Sequence, residues 1–207
     1  MHKSIKNLIE IKKEIHSKNL DPKSRVKVIA VSKTFSMDNI LPLIDYGHID
    51  YGENKVQEAI DKWTNIKKIK SNLNLHMIGR LQTNKVKQAV KLFDYIHSLD
   101  SLKLAKKISE EQNKINKKIK IFIQINIGNE NQKNGIMLDE LPSFYEICTK
   151  DFNLDIIGLM CLPPVGADPS SYFKKMENTI NGLLLKELSM GMSSDYLSAI
   201  KFNASFI

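Results

Sequence analysis

Val28-Ile29-Ala30-Val31-Ser32-Lys33 is a run of β-branched and small residues that ends on a charge. It is too short for a helix and reads as a buried strand. Parallel α/β sheets and barrels gather their ligand-binding groups at the carboxyl ends of their strands, and Lys33 falls at such an end. A lysine on that rim can lose its proton through desolvation and attack an aldehyde, because burial moves its pKa readily. The plainer reading is a lysine that caps the strand and points into solvent, as most lysines do.

Outward from this run the chain alternates. Strands are predicted at 26–33, 49–53, 75–80, 95–99, 119–127, 155–162 and 185–190, and helical patterns at 37–46, 54–70, 84–92, 101–114, 137–150 and 169–184. A leading helix over 2–18 places Ile5, Leu8, Ile9, Ile11 and Ile15 at apolar positions. Repeated strand–helix units predict parallel strands joined by right-handed crossovers. An open doubly wound sheet usually has a glycine-rich first turn, whereas the turn here is Ser32-Lys33-Thr34-Phe35. The pattern therefore predicts an α/β fold, a TIM-like (β/α)8 barrel occupying residues 1–207 as one domain. Beyond a helical turn or two at 194–201, Phe202-Asn203-Ala204-Ser205-Phe206-Ile207 reads as an eighth strand cut off in its middle. A barrel of this kind takes about 250 residues. The expectation is a C-terminally truncated barrel whose first and seventh strands keep partly unpaired edges. Such edges invite association, so a monomer with weak self-association through that edge is expected.

Composition removes several function classes. The apolar fraction is 42% and the charged fraction 26%, ordinary for a globular chain. No apolar stretch approaches the length of a membrane span, and the start Met1-His2-Lys3-Ser4-Ile5-Lys6 lacks the apolar core of a signal peptide. Cys148 and Cys161 have neither metal-ligand spacing nor a disulfide framework. The chain reads as cytoplasmic, with reduced thiols and no membrane partner. A net charge of +8 raises the question of nucleic acid, but among 31 basic residues only Arg25 and Arg80 are arginine. Base readout and phosphate forks favour arginine, and few aromatics interleave with the lysines. No nucleic-acid partner is expected.

Polar residues cluster where the strands end: Gly52-Glu53-Asn54, Gly79-Arg80-Leu81-Gln82, His97-Ser98-Leu99-Asp100 and Asn126-Ile127-Gly128. Asn54 could simply cap the next helix, and His76 reads by default as a satisfied core histidine. No paired carboxylates for hydrolysis are apparent, and the histidines lack metal-ligand spacing, so no metal is expected. After Lys33 the strongest local signal is Ser189-Met190-Gly191-Met192-Ser193-Ser194-Asp195, a strand turning through glycine into a helix with Ser193 or Ser194 at its N-cap. Free N–H groups there make an anion site, and barrels usually cradle phosphate after strands 7 and 8. Together with a strand-1 lysine, this turn suggests an aldehyde ligand with a phosphate arm.

The sequence resembles the pyridoxal phosphate homeostasis proteins, the YggS or PROSC family. The matching pieces are Ala30-Val31-Ser32-Lys33-Thr34, Tyr51-Gly52-Glu53-Asn54-Lys55-Val56-Gln57-Glu58 and His76-Met77-Ile78-Gly79-Arg80-Leu81-Gln82-Thr83-Asn84-Lys85. His97-Ser98-Leu99-Asp100, Gln124-Ile125-Asn126-Ile127-Gly128, Lys133-Asn134-Gly135-Ile136, Gly158-Leu159-Met160 and Leu188-Ser189-Met190-Gly191-Met192-Ser193 follow in the family's order. The resemblance implies a barrel of the alanine racemase N-terminal-domain type. It also implies pyridoxal 5′-phosphate (PLP) held as a Schiff base on Lys33. By the same carry-over Asn54 lies near the cofactor ring, and Ser189, Met192 and Ser193 belong to the cofactor site, the last two at the phosphate. The family pattern continues into an Arg-Ile-Gly-Thr segment that completes this site; the sequence stops at Ile207, which implies a weaker hold on phosphate. The expected function is PLP binding in vitamin B6 balance, with no catalytic residue and no established turnover. The alternative is a PLP-dependent amino-acid racemase or decarboxylase. It would need a second acid/base opposite the lysine, for which Tyr51 is the nearest nominee.

Overall fold

The computed structural model describes residues 1–130, 132–183 and 185–207. The amphipathic opening segment forms α1 (Lys3–Ser17), burying Leu8 and Ile15. Strand and helix then alternate as the apolar runs dictate. The order is β1 (Ala30–Val31), α2 (Met37–Asp45), β2 (Asp50–Glu53), α3 (Val56–Ile69), β3 (Asn74–Met77), α4 (Val86–Leu92), β4 (Tyr95–Leu99) and α5 (Leu102–Lys114). It continues as β5 (Lys120–Ile125), α6 (Leu141–Glu146), β6 (Asp155–Cys161), α7 (Pro169–Asn181), β7 (Glu187–Ser189) and α8 (Tyr196–Lys201). The seven strands lie in sequence order in one sheet, each parallel to its neighbours. The sheet is strongly curled, with residues 205–207 bridging from strand 7 to strand 1, as in an α/β barrel.

Boundaries differ from the sequence expectation in instructive places. The first predicted strand, 26–33, has only two residues in the regular ladder with β2. Lys27 and Ile29 instead pair with the far end of the chain: Lys27 N–H donates to Ser205 O (2.8 Å) and Ile29 N–H to Ile207 O (2.7 Å). On the other side Met190 N–H donates to Phe206 O (3.1 Å) and Ser205 N–H to Leu188 O (2.9 Å). Residues 205–207 thus bridge both edges of the sheet, short as they are. Strands 1 and 7, whose edges were expected to stay partly unpaired, are paired by this segment at Lys27, Ile29, Leu188 and Met190. The helix expected at 137–150 is α6 followed by a π-turn, Ile147–Asp151. The helix expected at 169–184 ends at Asn181; Leu184 lies outside the described residues.

Two apolar layers hold the barrel. The larger lies between strands and helices and includes Trp63, Phe93, Ile108 and Phe173, all fully buried. Burying one such side chain is worth roughly 1.5–3 kcal/mol. The smaller fills the barrel itself with Tyr95, Phe122, Met160 and Phe206, Ile29 and Ile157 packing on them. The usual filling of such a barrel is Val, Ile and Leu; here aromatic rings take that place, and two imidazoles lie among them (His76–Tyr95 centroids 4.3 Å, His97–Phe122 4.3 Å). Among the described residues no helix is long and apolar enough to cross a membrane. Nor do three or more His, Cys, Asp or Glu side chains converge as metal ligands there.

Candidate functional site

The carboxyl ends of β1, β2, β6 and β7 open on a cavity of about 530 Å³, and Lys33, Asn54, Ser189, Met192 and Ser193 all line it. They come from three places along the chain, at residues 33, 54 and 189–193, brought together by the curl of the sheet. Phe206 and Ile207 form part of its wall, so the segment that bridges the sheet edges also builds the cavity.

Lys33 sits on a turn closed by Phe35 N–H donating to Ser32 O (3.2 Å). Thr34, the next residue, has φ +67°, a conformation that turns usually give to Gly or Asn. Holding an L-residue there costs about 1–2 kcal/mol, and neighbouring groups maintain it. Thr34 N–H donates to Glu58 Oε1 (2.5 Å), and Lys62 Nζ donates to Ser32 O (2.7 Å). Lys62 also pairs with Glu58 (2.9 Å) and with Glu53 (2.6 Å). The same Glu53 oxygen accepts from Ser32 Oγ (2.7 Å) and Trp63 Nε1 (2.9 Å). Hydrogen bonds from Lys62 and Thr34 hold the Glu58 carboxyl below its ordinary value. The Lys33 backbone is therefore clamped from behind, while its own side chain is exposed and has no ion-pair partner among the described residues. The protein walls therefore do not bury the Lys33 side chain.

Asn54 is not the helix cap that its sequence position allowed. Lys55 occupies the N-cap of α3 and makes no side-chain cap bond. Gly79 explains how the Asn54 segment is held: a Cβ on Gly79 would lie 2.4 Å from Asn54 O, so only glycine lets the two backbones pass. On the opposite side, the expected Ser193 or Ser194 cap is also corrected. Asp195 is the N-cap of α8, and its carboxylate accepts from Met192 N–H (2.6 Å). Its side chain makes no cap bond to the helix and instead closes the turn before it. Among the described residues the N–H groups of Ser193 and Ser194 donate to no protein acceptor, which leaves them open to an anion.

Other strand-end residues do not join the cavity. Arg80 and Asp100 stand outside its lining, and Asn126 closes its own loop on Glu130 (3.0 and 3.1 Å). Tyr51 is on the helix-facing side of β2, its hydroxyl donating to His48 O (3.1 Å) and its ring against Trp63. Conversely, Tyr196 lines the cavity unforeseen, alongside Cys161 at the end of β6. Tyr196 lies one turn beyond the glycine motif, a position the motif's spacing could have flagged. Its hydroxyl donates to Glu14 Oε2 (2.5 Å), and burial together with that carboxylate pushes its pKa up to about 12. Burial likewise pushes the Cys161 thiol up to about 12.

A curled parallel sheet with a lysine just past its first strand and a polar turn past its seventh defines a barrel class. The sequence pattern of that class, "Alanine racemase, N-terminal domain", matches residues 10–206. A pyridoxal phosphate homeostasis protein from Aquifex aeolicus is 35% identical over 190 residues, covering 87% of this chain and 82% of the relative. Its counterpart from Buchnera aphidicola is 34% identical over 215 residues, covering 97% and 92%. The solved structure of PipY from Synechococcus elongatus, with PLP bound, superposes with a TM-score of 0.83 at 30% identity, covering 94% of this chain and 95% of PipY. The chain belongs to the pyridoxal phosphate homeostasis protein family.

Proposed function

We propose that this protein binds PLP in the cavity at the barrel mouth, held as a Schiff base on Lys33, and serves PLP balance without turnover of its own. The observation that carries the reading is the convergence of Lys33, Asn54, Ser189, Met192 and Ser193 on one cavity. The donor set suits the group: a primary amine at the mouth, an open N–H group at Ser193, and apolar walls from Ile29, Ile78 and Met160. When bound, PLP supplies an aldehyde that condenses reversibly with an amine and releases water. Lys33 offers that amine, and the clamp of Glu53, Glu58 and Lys62 holds its backbone in place. The N–H group of Ser193 orients the phosphate beside Met192, and Asn54 lies at the ring. The PLP seen with PipY lends this weight as a property of a relative at 30% identity.

A racemase needs a second group that can exchange a proton on the face opposite the lysine. Tyr51 faces the helices, and the hydroxyl of Tyr196 is engaged by Glu14. Both engagements support the non-catalytic reading. Titrating the purified protein with PLP and recording absorbance tests it. Wild type is expected to develop a saturable band at one equivalent that Lys33→Ala lacks. An unchanged band in the variant contradicts the assignment. A Lys33-dependent interconversion of alanine enantiomers, followed by chiral chromatography, contradicts the absence of turnover.

A further inference from the structure

A line of hydrogen bonds crosses the barrel interior to the cavity. Asp50 stands at the amino end of β2, and its Oδ1 lies 3.1 Å from His76 Nε2. His76 Nδ1 lies 2.9 Å from His97 Nε2, and His97 Nδ1 lies 2.8 Å from Ser189 Oγ. His76 and His97 are fully buried, and each ring plane is fixed by an aromatic stacked on it, Tyr95 and Phe122. Ser189 is the end of the line and lines the cavity.

Each contact holds one proton, so the line has a polarity. Asp50 sets it. Its Oδ1 also accepts from Asn74 Nδ2 (2.9 Å), as suits a carboxylate. Burial pushes this carboxyl up, but the hydrogen bonds from His76 and Asn74, with help from Lys27, outweigh that and hold it below its ordinary value. Burial keeps both imidazoles neutral: it pushes His76 down despite Asp50, and His97 well down. A neutral His76 facing a carboxylate carries its proton on Nε2, which leaves Nδ1 to accept. His97 must then donate from Nε2, and its Nδ1 accepts from Ser189.

We propose that Asp50, His76 and His97 are positioning residues that keep the Ser189 hydroxyl proton turned away from the cavity and its lone pairs turned into it. The cavity floor thereby accepts a hydrogen bond from a proton-bearing group of the ligand, an O–H or a protonated ring nitrogen, and disfavours a ligand that presents an acceptor there. The ligand half of this proposal rests on the reading of the cavity as a PLP site; the polarity rests on the interior geometry alone.

Long-range ¹H–¹⁵N correlation spectra of the wild-type protein at pH 7.5, without ligand, test the polarity. The expected result is both His76 and His97 neutral and protonated on Nε2. A proton on Nδ1 of His97, or a charged imidazole, overturns the proposal without any variant having to fold. Asp50→Leu removes the acceptor that anchors the line. In it the reversed tautomers are expected, together with a PLP affinity at least fivefold weaker. The cycle with Ser189→Ala separates positioning from mere support of the barrel. If Ser189 carries the effect, Asp50→Leu changes affinity less than twofold once the hydroxyl is gone. An equal loss in both backgrounds overturns the proposal. If wild type binds no PLP at all, the ligand half falls with the reading beneath it, and the tautomer spectrum still decides the polarity.

Discussion

Thr34 occupies a left-handed backbone conformation that a β-branched residue enters only under constraint, and the constraint is the hydrogen-bonded clamp behind Lys33. Thr34→Gly relieves about 1–2 kcal/mol of backbone cost while adding roughly 0.5–1 kcal/mol of entropy loss. The net expectation is a gain near ~0.5–1 kcal/mol in urea unfolding; a loss of stability contradicts the strain. Lys62 is the keystone of the clamp because Glu53 is wholly buried beside it. Lys62→Met leaves that carboxylate unpaired and is expected to cost about 3–5 kcal/mol, whereas Glu53→Gln with Lys62→Met recovers much of the loss. A double variant as unstable as the single one contradicts the charge argument. Lys33 and the glycine turn were legible in the sequence because strand ends and turn residues are local signals. The clamp was not, since a type of residue at 53, 58 and 62 says nothing of which carboxylate a lysine will reach.

At the scale of elements, strands 2, 3 and 4 each place a titratable side chain inside the barrel: Asp50, His76 and His97. Burial is the first cause that lowers both imidazoles, and it lowers His48 as well. The unfolded chain takes up these protons near pH 6.5, while the folded chain resists them. Stability is therefore fully present above about pH 6.5 and falls as pH drops below it. Urea midpoints are expected to be level from pH 8 to 7 and to decline between pH 6.5 and 5; a midpoint that is unchanged at pH 5.5 contradicts neutral burial. The sequence showed His76 as a core histidine, and it is one. Its partnership with His97 was hidden, because strand alternation shows which face a residue takes and not the register between β3 and β4 (His76 beside Tyr95). Helix ends were read less well than helix centres. The serines at 193 and 194 looked like caps, but the helix begins after Asp195, whose carboxylate bonds back to Met192 and not to the helix.

Across the whole molecule the strand–helix rhythm made the barrel legible, since seven apolar runs at similar spacing leave few alternatives for a parallel sheet. What the rhythm did not reveal was how residues 205–207 use their backbone on both sides, pairing with Lys27 and Ile29 on one edge and with Leu188 and Met190 on the other. Phe206 adds its ring to the interior cluster of Tyr95, Phe122 and Met160. Phe206→Ala is expected to cost about 3–5 kcal/mol and to weaken PLP binding together with stability, because the same residue walls the cavity. Thermal unfolding with and without PLP checks both, and a variant with native stability contradicts the role of this ring in the interior. The proposed function rests on one covalent address. Borohydride reduction of the protein mixed with one equivalent of PLP, followed by peptide mapping, reads that address directly among the many lysines of the chain. The pyridoxyl group is expected on the peptide containing Lys33 and is expected to disappear from the map of Lys33→Ala. Recovery chiefly on other lysines, equally in wild type and variant, contradicts it.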